Sequence, residues 1–229
     1  MVVIAIVHAV EEGRGITANM RKTILYLLCS SNTEILILLT ALLIGFPLPL
    51  FPLMILWINL ITDGALTVNL IMEPKEDVMK RPPDKKDEPI VTRHMLNILF
   101  FRAPIMAAGI IALFWMALRN GNGDLIYARS VAFTALAVTQ WINGINCRSE
   151  KKSIFGMPFF GNKYLIAGLT AAIALQIMVL YIPFLQSAFS TTPLSLQDWL
   201  LIILVSSAVF WAEEIRKLVN KKRRAGNHC

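Results

Sequence analysis

Residues 51–72, FPLMILWINLITDGALTVNLIM, form an apolar run with an amide and a carboxylate near its centre. As a helix rising ~1.5 Å per residue the run is about 33 Å long, matching a hydrocarbon core of about 30 Å. Asn59, Thr62 and Asp63 stand at i, i+3 and i+4, so a helix presents all three oxygen-bearing side chains on one face. An aspartate at mid-membrane costs roughly 2.5–3.5 kcal/mol even on the lenient insertion scale, so that face avoids lipid and lines an ion path or pairs with another group. Gly64 follows directly and is expected to loosen the helix where freed backbone carbonyls also face a cation.

The rest of the chain repeats this apolar character. Its 229 residues are 56% hydrophobic, with a mean hydropathy of +0.60, which excludes an ordinary soluble domain. The reading is an all-α membrane protein with six transmembrane helices, at about 24–45, 51–72, 95–118, 127–146, 164–186 and 197–215. The opening MVVIAIVHAV lacks a basic n-region and runs into EEGRG, so no cleavable signal peptide is expected.

A net charge of +7 invites a nucleic-acid reading, but its distribution opposes one. Of the 22 Lys and Arg, 19 lie before the first span, in 73–94, in 147–163 and in the C-terminal tail. These segments share one side of a six-span protein, so the positive-inside rule places both termini in the cytoplasm. The bilayer is the implied partner and nucleic acid is not. KKRR at 221–224 is expected to anchor the last helix against anionic lipid. Cys29, Cys147 and Cys229 show no paired spacing and are given no disulfide or zinc role.

Residues 1–10 are apolar but too short to cross a membrane, so they need other protein to cover them or lie on the membrane surface. The first span carries Ser30, Ser31, Asn32, Thr33 and Glu34 near its middle. Hydroxyl and amide groups there commonly glue helices together, whereas an ionisable group points to function. The short uncharged turn at 45–52 makes spans one and two an antiparallel hairpin. Glu34 lies twelve residues before Phe46 and Asp63 twelve after Phe51, so both are expected at one depth, about 18 Å below the turn. Two carboxylates with Asn and Thr oxygens make a hard site of the kind Ca²⁺ prefers, with Mg²⁺, Na⁺ or H⁺ open.

The proline-rich, charged segment 73–92 reads as a solvated connector or a docking surface. Ala107, Ala108 and Gly109 in span three read as packing. In span four Gln140 and Asn143 are polar at depth. Gln140 is the better ligand candidate, and a helix-to-helix hydrogen bond explains it equally well. Spans five and six carry no central ionisable group and read as scaffold, with Glu213 and Glu214 pairing locally to Arg216 and Lys217. No zinc pattern, phosphate loop or Ser/His/Asp arrangement is present in the sequence, so no catalytic or cofactor-binding residue is assigned.

These residues carry a resemblance to the carboxy-terminal membrane half of P-type cation-transporting ATPases, above all the calcium-pump branch. EEGRGITANMRKTILYLLCSSNTEI resembles that family's cytoplasmic stalk and fifth membrane helix. ILWINLITDG resembles the sixth through its W-x-N-L-x-T-D pattern, and EPKEDVMKRPP resembles the following loop. The resemblance implies a stalk segment over 1–23, the cut end of a phosphorylation domain, and a six-helix membrane domain over 24–229. It places Glu34, Asn59, Thr62 and Asp63 on the family's cation ligands. An ungapped match puts Ser31 at the family's helix-five asparagine, and Gln140 where the two-site calcium pump has a glutamate, which implies one bound ion per cycle.

The family's Asp-Lys-Thr-Gly-Thr phosphorylation segment does not occur in the sequence. The resemblance therefore implies that ATP and Mg²⁺ act only through domains outside this chain, which alone is not expected to hydrolyse ATP. The expected function is the ion-binding part of a pump, with Ca²⁺ as transported cation, in a plasma (cytoplasmic) membrane. The amino-terminal half of the pump is the expected partner. The rival reading is a stand-alone six-helix protein acting as a passive channel or a non-transporting binding partner.

Overall fold

The computed structural model describes residues 2–74, 89–149, 153–156 and 161–226. Among them the secondary structure is helical, with no strand. The charged connector, from 75 to 88, and the side chains of 222–224 in the basic tail lie outside the described residues.

Helix α1 (Val2–Ile44) runs for 43 residues without a break, merging the polar stalk with the first span. No proline or glycine-rich stretch interrupts it, and it ends at Gly45, whose φ of 77° opens the turn. The chain re-enters at α2 (Pro52–Trp57), with its proline at the helix start, where a missing N–H costs nothing. A π-helical turn over Ile58–Asp63 follows, and then α3 (Gly64–Ile71). The expected loosening is therefore present, but ahead of Gly64, whose own backbone is ordinary helix at φ −58°.

Helix α4 (Arg93–Asn120) starts on Thr92, whose Oγ1 accepts the Met95 N–H at 3.3 Å. Helix α5 (Leu125–Cys147) starts on Asp124, which accepts the N–H groups of Ile126 and Tyr127. Helix α6 (Lys163–Tyr181) starts on Asn162. The expected fifth span to 186 is not one helix: α6 stops at Tyr181 and α7 (Pro183–Phe189) begins anew. Pro183 forces Ile182 out of the helical region, to φ −89° and ψ 120°. Helix α8 (Leu196–Gly226) covers the sixth apolar stretch and continues into the basic tail.

Among the described residues five helices are long and apolar enough to cross a membrane: Ile4–Ile44, Pro52–Ile71, Arg93–Asn120, Leu125–Cys147 and Lys163–Tyr181. Helix α5 is the most buried of these and packs against α4 and α8 while touching α1, α3 and α6. Ala128, Ala132, Ala135 and Ala137 allow that closeness, each fully buried. In α4 the small residues divide: Ala107 is buried and Gly109 faces Val205 of α8, while Ala108 is exposed.

Candidate functional site: an intramembrane carboxylate cluster

The cluster forms where α1, the π-helical turn and α5 meet. Asp63, 2% exposed, accepts hydrogen bonds from the Tyr26 hydroxyl at 2.7 Å on Oδ1 and from the Ser30 hydroxyl at 2.6 Å on Oδ2. Glu34, 7% exposed, accepts from Asn59 Nδ2 at 3.1 Å and from Gln140 Nε2 at 3.4 Å. The same Gln140 nitrogen donates to Ser30 Oγ at 2.5 Å, so Ser30 and Gln140 join the two carboxylates.

Tyr26, Ser30 and Glu34 are spaced by four on α1 and share one face. The π-helical turn, wider than an α-turn, brings Asn59 and Asp63 to that face. The two acids are not level. Glu34 pairs with Asn59, while Asp63 pairs with Ser30, one helical turn nearer the start of α1.

Of the six residues singled out in the sequence, Glu34, Asn59 and Gln140 meet directly, and Asp63 joins them through Ser30. Thr62 is buried beside Asp63 at 1% exposure. Ser31 stands apart, exposed on α1, and Ser30 occupies the inward position. Asn59 is itself exposed and lies at the rim, also donating to the Ile55 carbonyl at 3.0 Å. Gln140 is fully buried and its Oε1 has no hydrogen-bond partner, leaving a free acceptor on the amide that bonds Ser30 and Glu34. Among the described residues no group of three or more His, Cys, Asp and Glu suited to a metal is present, so the donors here are two carboxylates with amide and hydroxyl oxygens.

Two further buried networks flank the cluster, and neither was read from sequence. In one, Arg102 of α4 is fully buried and pairs with Glu213 of α8 at 2.5 Å. In the other, Glu73 accepts from Arg148 Nε at 2.9 Å and from Asn162 Nδ2 at 2.7 Å, and its carbonyl accepts from Asn19 Nδ2 at 2.7 Å. Through its carbonyl and its carboxylate, Glu73 joins the stalk part of α1 to the ends of α3 and α5 and the start of α6. The local pairs expected at the end of α8 are present, Glu213 with Arg216 at 2.6 Å and Glu214 with Lys217 at 3.3 Å.

Helices of spanning length and character, packed around buried carboxylates, define an integral, multi-pass membrane protein. A family model described as "Cation transporting ATPase, C-terminus" matches residues 47–219. The chain belongs to that family, as the carboxy-terminal membrane portion of a P-type cation-transporting ATPase. It is 40% identical over 200 residues to a calcium-transporting ATPase of Bacillus subtilis (strain 168), covering 87% of this chain and 22% of that protein. It is 35% identical over 224 residues to calcium-transporting ATPase 1 of Yarrowia lipolytica, covering 97% and 24%. It is 32% identical over 218 residues to the calcium-transporting ATPase type 2C member 2 of Rattus norvegicus, covering 95% and 23%. The chain thus spans about a quarter of the length of these relatives.

Proposed function

We propose that this chain is the cation-binding membrane portion of an ATP-driven pump that carries Ca²⁺. Glu34 and Asp63 supply the charge, and Asn59, Thr62 and Gln140 Oε1 supply neutral oxygens, a hard-donor set of the kind Ca²⁺ takes. Ser30 takes the helix-five role that an ungapped match assigns to Ser31. The buried, unpartnered Oε1 of Gln140, whose Nε2 already bonds Ser30 and Glu34, carries this reading most directly.

Phosphorylation, nucleotide-binding and actuator domains, with ATP and Mg²⁺, belong to the remainder of the pump, supplied by a partner or by a longer form of the protein. Residues 1–23 are the stalk leading to it and 24–229 the membrane domain. In this reading α8 is the sixth span, both termini are cytoplasmic, and the plasma membrane is the site of action. Alternating access then requires an element with two stable arrangements, biased by the ion on one side and by phosphorylation on the other.

The exposed Asn59 and Ser31 favour the pump over a stand-alone passive channel. Polar side chains at membrane depth are kept away from lipid, and further helices of the pump provide that cover. An antibody against the C-terminal tail, used on source membranes with a mild-detergent pull-down, tests the proposal. A species several times larger than 25.6 kDa, or a co-purifying ATPase, supports it. A lone 25.6 kDa band without ATPase overturns it in favour of a passive protein.

A further inference from the structure

Arg102 sits within a spanning helix, where an arginine is costly and marks function by default. Its side chain is fully buried. Nε donates to Glu213 Oε2 at 3.0 Å, and Nη1 reaches Asn143 Oδ1 at 3.3 Å and Cys147 Sγ at 3.1 Å. One guanidinium thus holds α4, α5 and α8 together. Arg216 grips the same Glu213 carboxylate from α8 itself, at 2.6 and 2.8 Å.

The point of attachment on α5 matters. Asn143 is three residues from Gln140, on the same face and one turn away. The buried alanines of α5 pack closely but set no direction, so rotation and height must come from polar contacts. Thr139 to Ser206 at 2.9 Å and Asn146 to the Val209 carbonyl at 3.4 Å tie α5 to α8 alone. The Arg102 fork adds α4, and its planar geometry fixes orientation as well as distance.

We infer that Arg102 is a positioning residue for the cation cluster: through Asn143 it sets the register of α5 and so holds the Gln140 side chain over Ser30 and Glu34. This rests on the reading that the cluster binds a cation. A buried ion pair is by itself weak as a source of stability, since apolar residues of similar volume often replace it without loss. That property separates positioning from mere support.

The test is equilibrium binding of radioactive Ca²⁺ to the full chain in lipid nanodiscs, prepared with any partner that co-purifies. Arg102→Met/Glu213→Met/Arg216→Met removes every charge of this network and is expected to stay monodisperse with a near wild-type melting profile. Its Ca²⁺ dissociation constant should rise about tenfold, the effect typical of losing a group that orients a ligand. Asn143→Ala should raise it comparably, and Arg102→Lys, lacking the fork, partially. Wild-type affinity in the triple variant overturns the inference. If that variant does not fold, wild-type affinity in Asn143→Ala overturns it instead. A wild-type chain that binds no Ca²⁺ overturns the cation-site reading itself, a result distinct from equal binding by wild type and variants.

Discussion

Ser30 stands 2.6 Å from Asp63, its hydroxyl donating to Oδ2 across the contact between α1 and the π-helical turn. Ser30 Oγ also accepts from Gln140 Nε2, so one small side chain joins three helical segments. Ser30→Ala leaves a buried carboxylate oxygen and a buried amide without this partner. The expected cost is about 1–3 kcal/mol, read as a lower melting temperature of the solubilised chain. An unchanged melt would mean that Ser30 is not the link.

Asp63→Asn keeps the shape and an acceptor for Ser30 while removing the charge. In the assembled pump it is expected to abolish cation-dependent phosphorylation with little effect on folding. Undiminished ion-dependent phosphoenzyme in this variant would sink the assignment of Asp63 as a cation ligand.

Gln140→Glu places a third carboxylate beside Glu34. Divalent binding should tighten relative to Na⁺, because added charge selects the doubly charged ion. Wild type should hold one Ca²⁺ per chain at saturation, and counting bound ions against protein in both forms checks the pair of expectations.

Glu73 and Arg148 form a buried pair, 2.9 Å apart, with both side chains almost fully buried. Arg148→Met strands the carboxylate and should destabilise by about 3–5 kcal/mol. Changing both, to Gln and Met, should recover much of that loss. Thermal stability followed by size-exclusion of the heated sample measures the cycle.

Much of this arrangement was legible in sequence because a membrane magnifies the contrast between apolar and polar side chains. Glu34, Asn59 and Asp63 stand out in hydrocarbon-length runs, and their mutual proximity follows from a short turn. What hydropathy does not encode is rotation. Ser30 and Ser31 differ by about 100° around α1, and packing against α5 decides which faces inward. The spacing by four of Tyr26, Ser30 and Glu34 was the available signal. Arg102 was counted only as a charge outside the cytoplasmic segments, because its partner Glu213 lies 111 residues away. The break at Ile182 was readable from Pro183, whereas the π-helical turn has no residue of its own to announce it.

The unbroken course of α1 has a mechanical consequence. From Val10 to Glu34 the helix extends about 36 Å with no joint to absorb motion. A stiff rod of that length behaves as a lever: tilting it by about 3° about its outer end sweeps the far end through about 2 Å. That stroke is comparable with a metal–oxygen bond, so a slight push on the projecting shaft is enough to make or break a coordination shell deep in the membrane.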